Sequence, residues 1–231
     1  MGGDRPTRSA GQHTRYTDGT RPRAAGQRLA RAALPDAHGY VVGSVDAHEL
    51  RVDPAREGGM TLDLRPDTVT LVAENADEIT TEGGLDVNAN LSIVRAAVNR
   101  LRQGGILASL FIDPDAQQVE AAHAVNAQQV ELCTAAYAEA TLGARAFHSE
   151  GALRASRELR RLREAATFAA QYGLHVAAGH GLTYRNVGAV AEINEITEFN
   201  IGHNIIARSI FVGLEQAVLE MREAITAGSA V

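Results

Sequence analysis

Two histidines in this chain each follow a glycine. His180 lies between Gly179 and Gly181 in AAGHGLTYRN, and His203 follows Gly202 in NIGHNII. Imidazole titrates near neutral pH, so a histidine placed this way suits proton transfer. Glycine admits positive φ and lets the backbone approach a ligand closely. The unpaired N–H groups that open a helix favour an anion. Gly181, Gly202 and His203 can therefore cradle a phosphate, with His180 directed at the reacting centre. A third stretch, TTEGG at 80–84, offers two hydroxyls and two glycines for a second phosphate or a sugar hydroxyl. One histidine after a strand is ordinarily a loop residue or a helix cap. Two Gly-His pairs after successive strands argue for one shared site.

Composition narrows the chemistry. The 231 residues include 22 lysine-plus-arginine residues, and every one is arginine. Without lysine the protein cannot form a Schiff base through its own side chain, and it has no Walker A loop. Any imine in its chemistry takes its amine from a substrate. The one cysteine, Cys133, can form no disulfide within the chain. No pair of ligand-type side chains has metal-binding spacing, so no metal is expected. The net charge of −6 argues against nucleic acid as a partner. No apolar run approaches the ~18 residues of a membrane span, and the first residues lack the apolar stretch of a secretion signal. The expectation is a cytoplasmic protein.

The elements that must position these residues are strand–helix units. Apolar runs at 68–73, 106–112, 129–133, 174–178 and 198–201 each precede a helical pattern. The helices are marked by Leu91, Val94, Val98 and Leu101; by Val119 and Ala122; by Leu159, Leu162 and Ala166 within 152–171; by Val187 and Val190; and, in a last helix, by Ile206, Ile210 and Leu214. Strands that are nearly continuous apolar runs belong to a parallel sheet buried on both faces. Repeated βα units predict a doubly wound sheet or a (β/α)8 barrel. Both folds build their sites from the loops at the C-terminal ends of the strands, where TTEGG, GHG and GHN all fall. Asp113 and Asp115 are expected to cap the helix after the second strand. RELRRLRE (157–164) reads as a solvated helix face.

At these residues the sequence resembles the pyridoxine 5′-phosphate synthase family. The resemblance rests on EITTEGGLDV, SLFIDPD, AATFAAQYGLHVAAGHGLTYRNV and FNIGHNIIARSIFVGLEQAV, in order over about residues 60–227. It implies an α/β fold, a (β/α)8 TIM barrel, assembled into octamers. It implies condensation of two phosphorylated small molecules, 3-amino-2-oxopropyl phosphate and 1-deoxy-D-xylulose 5-phosphate. The products are pyridoxine 5′-phosphate, phosphate and water, with no metal or organic cofactor. By motif, His180 corresponds to the proton donor, and Gly181, Gly202 and His203 to the pocket for the amino-ketone phosphate. Thr80 corresponds to a contact with deoxyxylulose phosphate.

Residues 1–58 depart from the family pattern. They contain no Ile and no Phe, and the first 35 hold seven Arg against two Asp. Only GYVVGSV (39–45) looks like a strand. The family's Asn-(Val/Ile)-Asp-His, His-Leu-Arg-Glu-Asp and Asn-Leu-Glu motifs, which carry its bases, have no counterpart in the sequence. Glu49 in DAHEL is the candidate for the third-strand base. Smaller departures are Ala73-Glu74 for Pro-Glu and Cys133-Thr134-Ala135 for His-Thr-Gly. The expectation is a barrel domain over 59–231, incomplete or irregular at its first strands. It follows an Arg/Gly-rich segment, 1–58, that is disordered or read in a shifted frame. Two other readings stay open. One is an inactive, phosphate-binding remnant. The other is a different phosphate-handling barrel enzyme that takes its base from Asp46, His48 or Glu49.

Overall fold

The computed structural model describes residues 66–73, 83–143 and 150–229, together with four short strands nearer the N-terminus. Those four are β1 (Ala30–Arg31), β2 (Ala33–Pro35), β3 (Val41–Gly43) and β4 (Glu49–Val52). The regular part follows as β5 (Thr68–Leu71), α1 (Leu91–Gln103), β6 (Leu107–Ile112), α2 (Ala116–Ala124) and β7 (Gln129–Cys133). Then come α3 (Ala135–Gly143), α4 (Glu150–Gln171), β8 (His175–Gly179), α5 (Val187–Ala191), β9 (Ile196–Asn200), α6 (His203–Val212) and α7 (Leu214–Ser229). The five expected strands sit within two residues of the predicted bounds.

The nine described strands form one sheet in the order β1-β9-β8-β7-β6-β5-β4-β3-β2. Pairing is parallel from β4 through β9 and from β9 to β1, while β3 runs antiparallel to both β2 and β4. The two ends of the order, β1 and β2, are one residue apart in the chain. One stretch of backbone therefore pairs with β9 on one side and with β3 on the other. The fold is of the α/β barrel type, irregular at its N-terminal strands. There the strands are two to four residues long and one of them reverses direction.

The strands are buried on both faces, but the faces differ in character. Residues of one parity, among them Val69, Leu71, Leu110, Ile112, Val130, Leu132 and Val176, join the helices in one apolar cluster. α1 contributes Val94, Ala97, Val98 and Leu101, spaced to fall on one face of the helix. α4 adds Leu162, Ala165, Ala166 and Ala169. The other parity carries Thr70, Ser109, Gln129, Glu131, Glu198 and Asn200. This inward face is polar where the apolar runs had suggested a uniformly apolar sheet.

Two elements differ from expectation. Residues after β7, expected as a loop, form α3; small residues give it no apolar stripe, yet it buries Tyr137, Ala138 and Ala140. The expected last helix is two helices, broken at Gly213 with φ 83. Ile205, not Ile206, is its fully buried residue. Ile210 and Phe211 are 78% and 82% exposed, beside the half-exposed Leu214.

Candidate active site at the C-terminal ends of the last strands

β7, β8 and β9 end level with one another, since Cys133 registers with Gly179 and Gly179 with Asn200. His180 is the first residue past β8. It and Gly181 both have φ 80, in the left-handed region. For an L side chain that conformation costs about 1–2 kcal/mol. Thr134, the first residue past β7, holds the turn. Its N–H donates to Gly179 O at 2.8 Å. Its Oγ1 lies 2.6 Å from His180 O and 2.8 Å from Gly179 O, and shares its single proton between the two carbonyls. The His180 ring lies against Phe111, with centroids 6.2 Å apart and planes tilted by 58°. Phe111 clusters with Val72 and Cys133, apart from the helix-side core. The imidazole therefore sits at the inward end of the sheet.

The loop after His180 is knitted to α3 and α7. A Cβ on Gly181 would lie 2.8 Å from the Ala138 Cβ. Thr183 N–H donates to Asn186 Oδ1 at 2.7 Å, and Asn186 Nδ2 donates to Thr141 Oγ1 at 3.1 Å. Tyr137 Oη donates to Asn186 O at 2.9 Å, and Tyr184 Oη to Ala217 O at 3.0 Å. Burial raises the pKa of both phenols, Glu192 adding to the first and Glu220 to the second.

Gly202 is the N-cap of α6 and His203 its first residue. Among the described residues no side chain caps this end, which leaves the N–H groups of its first turn available as an anion site would need. Gly202 has φ −111, an ordinary value, so close approach rather than positive φ is what a glycine could offer there. His203 is exposed.

The sequence reading missed two residues of this site. Glu131, central in β7, is 1% exposed, and its Oε2 accepts from Asn200 Nδ2 at 2.9 Å. A Cβ on Gly179 would lie 2.5 Å from Glu131 Oε1 and 2.9 Å from Asn200 O. The glycine before His180 thus makes room for a buried carboxylate. The available signal was a lone Glu in the middle of QVELC, a run expected to be buried on both faces.

Of the other predicted residues, Thr80 lies outside the described residues. The last glycine of its motif is placed: Gly84 N–H donates to Asp113 Oδ1 at 3.0 Å, and Leu85 N–H to Phe111 O at 2.7 Å. A Cβ on Gly84 would collide with the backbone N of Asp113. Asp113 thus fastens this loop, while Asp115 alone is the N-cap of α2, accepting from Gln117 N–H at 2.8 Å. Just beyond, the Asp86 carboxylate accepts from Gln118 Nε2 and Ala89 N–H. Those bonds hold its pKa below the ordinary value. RELRRLRE is a solvated, ion-paired face as expected, except that Glu158 is buried and pairs with Arg161 at 2.7 Å. Glu49 opens β4, registering with Thr68. It therefore stands at the N-terminal end of its strand, about 10 Å of chain before Val52 at ~3.3 Å per residue.

Together these features define a βα-barrel protein with a histidine, a buried carboxylate and an uncapped helix end gathered where its last strands finish. The model of the pyridoxal phosphate biosynthesis protein PdxJ matches residues 49–227, and the chain belongs to that family. It is 52% identical over 164 residues to pyridoxine 5′-phosphate synthase of Prochlorococcus marinus, covering 71% of this chain and 63% of the relative. It is 51% identical to the enzyme of that name from Synechococcus sp. (71% and 65% covered) and 47% identical to that of Geobacter sulfurreducens (71% and 64%). The chain thus spans just under two thirds of the length of these relatives. Among the described residues no helix is long and apolar enough to cross a membrane.

Proposed function

We propose that this chain is a pyridoxine 5′-phosphate synthase. It would condense 3-amino-2-oxopropyl phosphate with 1-deoxy-D-xylulose 5-phosphate to give pyridoxine 5′-phosphate, phosphate and water. The observation that carries the reading is the pairing of His180 and Gly181 after β8 with Gly202 and His203 at the start of α6, in a chain of this family. The amine of the first substrate forms an imine with the ketone of the second. Proton transfers, loss of phosphate and ring closure follow. Lysine is absent, so the imine joins the two substrates and not the protein. The first turn of α6, with Gly202 and His203, and Gly181 hold the amino-ketone phosphate, and Thr80 contacts the second substrate. His180 gives a proton to the departing oxygen. The carboxylate of Glu131 balances a protonated imine, a charge that counts for more in a site shielded from water. The reaction takes no metal or organic cofactor.

We place the enzyme in the cytoplasm, self-associated through the exposed apolar surface of Ile210, Phe211 and Leu214. Phe211→Asp should lower the sedimenting mass; an unchanged mass would remove that surface from the assembly. A second reading, an inactive phosphate-binding remnant, is favoured by one observation. The family's N-terminal base motifs are absent from the sequence, and Glu49 stands at the far end of its strand. Turnover decides between the two readings. The purified chain is supplied with both substrates, and pyridoxine 5′-phosphate and free phosphate are followed. Product that falls by about 10²–10⁴-fold in His180→Ala supports the synthase. A folded chain that gives no product is the remnant.

A further inference from the structure

We propose that Thr134 is a positioning residue that locks His180 into its working conformation; this rests on the role given to His180 above. Among the described residues only Asn126 and His180 combine a side chain with positive φ. Asn126 follows the end of α2, where asparagine tolerates the left-handed region. His180 has no helix end to excuse it, and such strain persists only where the surroundings over-determine it.

Thr134 supplies that determination. Its hydroxyl has one proton, and the nearer acceptor is His180 O at 2.6 Å, with Gly179 O also in reach at 2.8 Å. Its N–H donates to Gly179 O at 2.8 Å. These are the carbonyls immediately before and after the φ and ψ bonds of His180, so fastening one by the hydroxyl and the other by the N–H fixes both torsions. Thr134 is itself immobilised: it is 0% exposed, sits between β7 and α3, and its carbonyl accepts from Ala138 N–H at 2.9 Å. The backbone from which the imidazole projects is therefore set from the neighbouring strand, through a side chain that is fully buried.

Thr134→Val keeps the shape and removes the hydroxyl, whereas Thr134→Ser keeps the hydroxyl. Thr134→Val should lower kcat by about tenfold to a hundredfold while KM for each substrate stays within about threefold, because an ångström of misplacement acts on the chemical step. Thr134→Ser should restore kcat to within about twofold of the starting chain, as retention of the hydroxyl donor requires. The His180 imidazole ¹H–¹³C signal should shift in Thr134→Val and overlap the unsubstituted signal in Thr134→Ser. Thr134→Ala replaces the valine variant if valine prevents folding. The proposal is overturned if Thr134→Val keeps its kcat, if Thr134→Ser loses as much as Thr134→Val, or if the imidazole signal is the same in all three chains. Absence of turnover in the unsubstituted chain would sink the synthase reading instead, and the imidazole signals alone would then decide on Thr134.

Discussion

Both faces of β6 and β7 are buried, yet the two faces of the sheet from β6 to β9 are built from different materials. The helix-facing residues, such as Leu110, Ile112, Val130, Leu132 and Phe199, belong to one continuous apolar cluster. The inward residues include Ser109, Gln129, Glu131 and Asn200, and Ser109 Oγ, Gln129 Nε2 and Asn200 Oδ1 find no hydrogen-bond partner among the described residues. Barrel interiors are ordinarily filled with Val, Ile and Leu. A buried polar atom left unsatisfied costs about 1–3 kcal/mol. The inward face thus lowers stability where the outward face raises it. A chain that tolerates this in neighbouring residues of the same strands is using the inner face for something other than folding.

Leu132 and Glu131 are adjacent in β7 and point to opposite faces, so substitutions there separate the two roles. Leu132→Ala leaves a cavity in the helix-side cluster and should cost about 2–5 kcal/mol. Chemical unfolding would show it as a lower midpoint, while the folded fraction keeps its turnover. A midpoint within experimental error of the starting chain would break the assignment of Leu132 to the stabilising face. A smaller effect is expected at Gly179, where the strand runs into the His180 turn. The Cβ of Gly179→Ala must displace the Glu131 carboxylate or Asn200. Overpacking of this kind costs about 1–3 kcal/mol. It should lower kcat as well as the midpoint, and a loss of stability alone would show that the carboxylate can move without harm.

The smallest effect tests the segment that follows TTEGG. Asp86 has its pKa held below the ordinary carboxylate value by hydrogen bonds from Gln118 and Ala89. A depressed carboxylate pKa contributes stability above its unfolded value and loses it as pH falls through the folded value. Asp86→Asn should therefore be slightly less stable than the starting chain at neutral pH. The two unfolding curves should converge in acid. Parallel curves across pH would mean that the Asp86 charge adds nothing.

What could be read from the sequence follows from the same division. The outward face is apolar and periodic, so five strands and most helices could be placed from their patterns. His180 and His203 stood out because glycine marks the ends of their strands. Glu131 did not stand out, since a run such as QVELC looks apolar when its alternation is ignored; taken at period two, it pairs Val130 and Leu132 outward with Glu131 inward. Thr134 was invisible for another reason. Its role depends on hydrogen bonds to residues 45 and 46 positions away in the chain. α3 has no apolar stripe to announce it, and β1, β2 and β4 are too short for any pattern to register.

Glu131→Gln tests the central claim most directly. The substitution preserves shape and removes the charge, and the side-chain oxygen of the new amide can still accept from Asn200 Nδ2. Turnover and chemical unfolding would be measured on the same preparation. The account predicts that kcat falls by at least about a hundredfold. It also predicts that the unfolding free energy stays within about 1 kcal/mol or rises, as replacing a buried charge often allows. Turnover retained in a chain that unfolds several kcal/mol more easily would contradict it, and would make Glu131 a structural residue and the inner face part of the core.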